Sequence, residues 1–313
     1  MSSSIDGANS SASKAVQTAG SSVEPCSPLD GAHVLHSSAA RRGSSHRQMV
    51  LTLVLGALAL LAVVVAGRAL SPAAVHVDFS SKNLAPSFGH PFGSDWMGRD
   101  MFARTLAGLS TSVLVGLVSA GVSSVVALVL ASVAALGGPK ADAAVEWLID
   151  LVMGIPHIVL LILISYALGR GFWGVTVGVA VTHWPSLTRV LRAEIMQVRS
   201  QPYIATSRAL GVSSAQIALR HMLPAILPQY LVGLVLLFPH AILHEASITF
   251  LGFGLSPEQP AIGVILSDAM TYLTSGAWWL AVFPGLALLA VVLLFDRLGS
   301  LLRGLLTPGE VQL

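Results

Sequence analysis

Long apolar runs constrain this chain more than any other feature of its sequence. A helix needs about 20 largely apolar residues to cross a hydrocarbon core of about 30 Å. The candidate runs are Met49–Leu70, Leu109–Leu136, Val145–Leu168, Phe172–Leu187, Ala225–Phe253 and Trp278–Leu294. The fourth is the weakest because His183 and Pro185 interrupt it, and the last continues into 298–302. The sequence therefore predicts an all-α integral membrane protein with six transmembrane helices.

Composition agrees with this class and excludes others. Charged residues make up 10% of the 313 residues, against roughly 25% in soluble domains, and hydrophobic residues make up 54%. Mean hydropathy is +0.77. A formal net charge of +2 argues against nucleic acid as a partner, and a single cysteine, Cys26, excludes an intrachain disulfide and a cysteine-based metal site. A soluble enzyme, a DNA-binding protein and a secreted disulfide scaffold are excluded.

The chain divides into segments of different character. Residues 1–48 are rich in Ser, Ala and Gly and poor in large apolar side chains, so we predict a disordered cytoplasmic tail there. Residues 49–70 form the predicted first transmembrane helix, and 71–108 a long external segment. Residues 109–308 form a predicted five-helix core that contains a cytoplasmic loop over 189–224. Long connections are often functional, which directs attention to 71–108 and 189–224.

Lysine and arginine set the predicted orientation. With the N-terminus inside, the cytoplasmic segments hold 12 of these residues and the external segments hold five. Cytoplasmic loops of membrane proteins carry such an excess of basic residues. With an even number of spans, the prediction is a multi-pass protein of the plasma (inner) membrane with both termini in the cytoplasm.

No sequence pattern for nucleotide hydrolysis is present. The chain lacks G-x-x-x-x-G-K-[ST], and the nearest string, GGPKAD at 137–142, lacks the spacing that cradles phosphates. A Ser/His/Asp or His-Glu-x-x-His arrangement typical of a hydrolase is also missing from the sequence. The chain is therefore predicted to be non-catalytic, and any uphill transport must draw its energy from a partner or an ion gradient.

The cytoplasmic loop contains a predicted pair of short helices. The pattern favours a helix over Ile204–Leu210, a left-handed residue at Gly211 and a second helix from Ala215, capped by Ser213 or the serine after it and stopped by Pro224. A stiff helix pair of this kind can seat in a groove on another protein. It can equally lie flat on anionic lipid, and the residues alone do not decide between these alternatives.

Ionisable residues within or near the predicted spans mark a candidate substrate pathway, because such residues are costly at membrane depth. They are His157, His183, His240, His244 and Glu245. His240 and His244 are four residues apart and share a helix face, so the pair could chelate nickel, copper or zinc transiently. Glu245 could add an oxygen ligand. The alternative for any single buried histidine is a structural role.

Three separated stretches resemble permease subunits of the dipeptide/oligopeptide/nickel branch of ABC importers. They are HPFGSDWMGRDMFARTLAG at 90–108, the loop HWPSLTRVLRAEIMQVRSQPYIATSRALG at 183–211 with its continuation to 224, and FLGFGLSPEQPAIGVILSDA at 250–269. The loop is similar to the family's coupling loop at Gly211, Leu223 and Pro224, while the Glu-Ala-Ala element is replaced around Ala205. The resemblance covers about residues 49–308.

The resemblance implies a type I ABC importer permease fold and a heteromeric assembly. The implied partners are a second permease subunit in a heterodimer, two ATPase subunits that bind ATP and Mg²⁺, an extracytoplasmic binding protein and membrane lipid. This chain would itself bind no cofactor. The loop helix would sit in a cleft of the ATPase, and the implied coupling residues are Ala205, Leu210, Gly211, Val212, Leu223 and Pro224.

The resemblance also suggests a substrate class. The string HAILHEASITFLGFG at 240–254 is similar to nickel-type members, which show H-x-x-x-H before the same block, and His183-Trp184 also looks nickel-like. Nickel or a nickel chelate is therefore the favoured cargo. A dipeptide or oligopeptide is the alternative, because peptide-type members also carry the acid at Glu245. An ion-gradient-driven secondary transporter is the alternative of another class.

Overall fold

A computed structural model describes the backbone of residues 30–306 and the side chains of residues 46–306. The predicted tail over 1–48 and the site of Cys26 therefore lie largely outside the described residues. Contacts divide the chain into two units, Met1–Arg47 and Gln48–Leu313, and the second contains every site discussed below. Its described residues are mostly helical and contain no strand beyond one isolated bridge between Ser94 and Asp100.

The α-helices follow one another in the order α1 (Asp30–Ala69), α2 (Ser71–Val75), α3 (Met101–Leu136), α4 (Pro139–Met153), α5 (His157–Ala167), α6 (Gly171–Arg199), α7 (Pro202–Ala209), α8 (Ser214–Ile217), α9 (Leu223–Phe250), α10 (Ile262–Tyr272) and α11 (Trp279–Leu306). A π-helix over Ala218–Met222 joins α8 to α9 without a break. Short 3-10 turns lie at Phe79–Ser81 and Leu273–Ser275.

Within residues 46–306, four helices are long and apolar enough to cross a membrane, and five spans result if the bent pair α4–α5 counts as one. The four are the part of α1 over His46–Ala69, α3, the continuous stretch Ser214–Phe250, and α11. The helix α6 covers the predicted span Phe172–Leu187 but is not among them, although it has 29 residues. Its arginines and the polar residues around His183 make it less apolar than the others.

The predicted single span over Val145–Leu168 is instead two helices. α4 and α5 are bent by 87° at the break between Met153 and His157. Gly154 and Pro156 lie in this break, and a proline disfavours helical geometry at the residue before it. The run is apolar throughout, so hydropathy alone does not reveal the bend.

The packing of α3 against α6 forms the centre of the helical core. Ser119 Oγ donates to the Thr176 carbonyl oxygen at 3.1 Å, and Ser123 Oγ donates to the Ala180 carbonyl oxygen at 2.6 Å. Small side chains let two helix backbones approach, and serine hydroxyls then bond across the interface. α6 also contacts α5 and α9, which brings residues from these three helices together on its other side.

α1 docks on α3 at a glycine. A Cβ added to Gly67 would lie 2.2 Å from the Leu106 carbonyl oxygen, so only glycine allows this approach. Ser110 Oγ donates to the Val64 carbonyl oxygen at 3.1 Å beside the same contact. This interface again follows the small-residue pattern of membrane helices.

Candidate functional site

A pocket between α4, α5, α6 and α9 contains all four histidines that the sequence places on the candidate pathway. Its volume is about 390 Å³, within the range of ligand-binding pockets. Its lining includes His157, His183, His240 and His244. Apolar side chains such as Val152 and Leu237 complete the wall, and we call this space the histidine pocket.

Three of these histidines form one cluster. The ring centroids of His157 and His183 are 4.7 Å apart, those of His157 and His244 4.5 Å, and those of His183 and His244 4.9 Å. The rings meet edge to face, with interplanar angles of 75–80°. One ring nitrogen from each lies within 4.8 Å of the others. We call these three residues the histidine triad.

Each member of the histidine triad comes from a different helix. His157 is the first residue of α5, directly after the bend that turns the chain back from α4. His183 lies in the buried part of α6, two residues before Pro185, and His244 lies in α9, five residues after Pro239. The bend at 154–156 is therefore what brings His157 to the other two.

The predicted ligand pair is arranged differently from the expectation. His240 and His244 do share a face of α9 and both line the histidine pocket, but the triad around His244 includes His157 and His183 rather than His240. Helical spacing revealed the pair within α9. The spacing of residues along one helix does not reveal contacts between α5, α6 and α9. The sequence therefore identifies His157 and His183 only as separate residues of the candidate pathway.

Glu245 does not join the triad. Its side chain is fully buried, and its Oε1 accepts a hydrogen bond from Thr249 Oγ1 at 3.0 Å on the same helix. It lies beside Ser112 of α3, which places it toward α3. The second carboxylate oxygen, Oε2, has no hydrogen-bond partner. Glu245 therefore provides no oxygen ligand to the histidine triad.

The predicted helix pair of the cytoplasmic loop is present as α7 and α8. Gly211 has φ of +82°, which confirms the left-handed residue that the sequence predicts there. A Cβ at this position would meet no atom within 4 Å, so the requirement for glycine comes from the backbone conformation alone. Ser213 caps α8, since its Oγ accepts a hydrogen bond from the Gln216 N–H at 3.3 Å.

The helix pair is anchored on one side and free on the other. Ile204 of α7 and Ile217 of α8 are fully buried and join a core cluster with Ile149 and Leu191. Leu210 at the tip is 78% exposed within the described chain. Ala205 and Gly211 are also exposed, and Val212 is half-buried. An exposed leucine on an anchored turn offers an apolar knob to another surface.

Pro224 does not stop the second helix, contrary to the prediction. Leu223 begins α9, and Pro224 follows it within the continuous helical stretch Ser214–Phe250. The preceding π-helix shifts the hydrogen-bond register and lets α8 continue into α9. The cytoplasmic loop is thus continuous with the long helix α9.

Acidic residues of α4 bind arginines of α6 beside the loop. Asp142 accepts two hydrogen bonds from Arg192, at 2.5 and 2.7 Å, and Glu146 lies 3.2 Å from the same guanidinium. Asp150 accepts from Arg189 at 2.6 Å. These pairs bind α4 to α6, so the acids have structural partners.

A second charged group lies at the other end of the helices. Asp95 is buried and binds Arg99 at 2.7 Å and Arg104 at 2.6 Å through the same oxygen. Arg104 also reaches Asp268 of α10 at 3.2 Å. Asp95 lies in a turn before α3, and Asp268 is far from it in sequence, so the group forms only in the folded chain.

The described helices form a membrane-type bundle with a partly polar pocket inside and an anchored helix pair. The profile of the binding-protein-dependent transport system inner membrane component family matches residues 125–306. The chain belongs to this family of ABC importer permeases.

Relatives and one solved structure support this assignment. A Brucella ovis protein named as a candidate peptide permease is 35% identical over 74% of this chain and 77% of its own. A dipeptide transport system permease protein of Bacillus subtilis is 30% identical over 80% of this chain and 79% of its own. The crystal structure of an amino acid ABC transporter with histidines matches with a TM-score of 0.53 at 17% identity, over 64% of this chain and 94% of that chain, which shows the fold.

These comparisons decide between the alternatives that the sequence left open. Family membership confirms the ABC importer permease and leaves the gradient-driven secondary transporter without support. The favoured nickel cargo finds no support in the names of the relatives, and the peptide alternative fits them better. The hydropathy of the described helices agrees with the family's inner-membrane location.

Proposed function

We propose that this chain is the permease subunit of an ATP-driven importer of dipeptides or oligopeptides. The observation that carries the proposal is the relationship over most of the chain to permeases named for peptide transport. The cargo would be delivered by an extracytoplasmic binding protein. A second permease subunit would complete the membrane channel as a heterodimer, and two ATPase subunits would bind ATP and Mg²⁺.

The helix pair α7–α8 is the proposed contact with the ATPase. Burial of Ile204 and Ile217 fixes the pair to the inner core, while Leu210 remains free to enter a cleft on the partner. The junction of α8 with α9 then carries a movement of the pair into the helix that holds His240 and His244. In this arrangement both termini lie in the cytoplasm, as the distribution of basic residues predicts.

The histidine pocket is the proposed passage for the cargo. It combines a volume of about 390 Å³ with four imidazoles and the hydroxyl residues Thr182 and Ser186 on a largely apolar wall. Neutral imidazoles can exchange hydrogen bonds with the amides and termini of a peptide without holding it by charge. Weak contacts of this kind suit a passage, since the cargo must leave as well as enter.

Reconstitution in proteoliposomes tests the proposal. The assembled importer, with its binding protein, is expected to accumulate a labelled dipeptide when ATP is present in the ATPase compartment. A matched assembly with catalytically inactive ATPase subunits is expected to accumulate none. Uptake by this chain without the ATPase would contradict the proposal. Uptake of labelled nickel, with no uptake of peptide, would restore the nickel cargo and remove the peptide.

A further inference from the structure

The histidine triad has an unpartnered nitrogen at its centre. Within the described residues, three buried side-chain atoms lack a hydrogen-bond partner, and His157 Nε2 is one of them. A buried polar atom without a partner is costly, so such an atom calls for a ligand or a function. The rings of the other two members, His183 and His244, have centroids within 4.7 Å of that of His157.

Backbone carbonyls orient the other two imidazoles. His183 Nδ1 lies 2.8 Å from the Val179 carbonyl oxygen, and His244 Nδ1 lies 2.8 Å from the His240 carbonyl oxygen. A carbonyl oxygen only accepts, so each Nδ1 must carry the proton, and each Nε2 keeps its lone pair. Histidines that bind a metal show the same arrangement: one ring nitrogen donates its proton to a carbonyl oxygen, and the other nitrogen binds the metal with its lone pair.

The ring nitrogens are near enough to one another to share an ion. One nitrogen of each ring lies within 4.8 Å of the others. A tetrahedral ion with ligands at about 2.0–2.1 Å holds neighbouring nitrogens about 3.4 Å apart. The rings therefore have to move closer together and turn their Nε2 atoms inward to hold one ion.

We propose that His157, His183 and His244 bind one divalent first-row transition metal ion. Three neutral imidazoles suit nickel, copper or zinc, whereas magnesium and calcium require oxygen ligands, and Glu245 does not face the triad. All three residues line the histidine pocket, which gives a bound ion access to further ligands from the pocket. This site goes beyond the proposed peptide transport, which does not depend on it.

Metal titration of the assembled, metal-stripped importer tests the site. Cobalt is followed by its visible absorption, which reports tetrahedral coordination, and nickel and zinc by calorimetry. We expect one ion per copy of this chain, with an affinity reduced at least about 10-fold in His183→Ala and in His157→Ala. His240→Ala is the matched control, because its side chain lines the same pocket outside the triad, and it is expected to keep the affinity of the wild type.

A second readout protects the test against misfolding. An ion that binds only the folded chain raises its Tm, so zinc is expected to raise the Tm of the wild type and of His240→Ala but not of His244→Gln. Equal metal affinity in the wild type and the triad variants would overturn the site, as would the absence of binding to the wild type. Peptide uptake in metal-free buffer is measured separately, so a failed metal site leaves the proposed transport standing.

Discussion

Arg192 of α6 holds Asp142 of α4 through two parallel hydrogen bonds of 2.5 and 2.7 Å. Both side chains are about three-quarters buried, and Glu146 adds a second acid to the same guanidinium. Bidentate pairs of this kind are geometrically specific. The pair fixes the first turn of α4 against α6, at the opposite end of α4 from the bend that leads to the histidine pocket.

Breaking this pair is expected to loosen α4. A double-mutant cycle of Arg192→Ala and Asp142→Ala should give a coupling of about 1 kcal/mol, the upper end for pairs that are not fully buried. The measurement is the thermal unfolding of the purified importer. Arg297→Ala changes an exposed arginine of α11 and serves as the control. Additive effects of the two single variants would contradict the coupling.

Loss of Arg104 is expected to destabilise the external end of the bundle. Arg104 is 3% exposed and binds both Asp95 and Asp268, so Arg104→Met leaves buried Asp95 with Arg99 alone. Removal of one partner of a buried ion pair lowers the free energy of unfolding by about 3–5 kcal/mol. Because Arg99 still binds Asp95, we expect a loss near the lower end of this range. Unfolding in denaturant measures the change. Arg68→Met, at the exposed end of α1, should change stability by less than about 0.5 kcal/mol.

Glu245 is expected to act as a structural acid. Glu245→Gln keeps an oxygen that accepts from Thr249 Oγ1 and removes a buried ionisable group, so the stability should hold or rise. Glu245→Ala removes the acceptor and leaves a cavity, and should cost about 1–3 kcal/mol. Thermal unfolding and peptide uptake of the two variants provide the comparison. A Glu245→Gln variant that unfolds normally but no longer transports would place this acid in the passage.

Leu210 is expected to contact the ATPase. In a Cys26→Ser background, Leu210→Cys provides a single thiol at the exposed tip of the loop. A thiol-directed photocrosslinker should then link this chain to an ATPase subunit. Trp173→Cys, in the first turn of α6 and 71% exposed, is the matched control and should link to none. Labelling of the Leu210→Cys position by lipid-soluble reagents, without a crosslink, would favour the alternative that the loop lies on the membrane.

The features of the fold that depend on neighbouring residues in the sequence could be predicted from it. Apolar length located α1, α3, α9 and α11, and the left-handed Gly211 followed from its position after a short helix. The bend between Met153 and His157 was missed, because hydropathy continues across it without a change. The bend brings His157 to the other two histidines of the triad, and the spacing of His240 and His244 does not reveal this. Pro224 was misjudged because a π-helix precedes it.

The central claim is that force from a partner ATPase enters through the helix pair and drives peptide movement. It is tested most directly by ATP-driven uptake of a labelled dipeptide by assemblies that carry either the wild-type chain or Leu210→Asp. The account predicts that the variant chain folds with the stability of the wild type and that the uptake rate falls at least about 10-fold, because the loop loses its apolar anchor on the ATPase. An unchanged uptake rate in Leu210→Asp would contradict it.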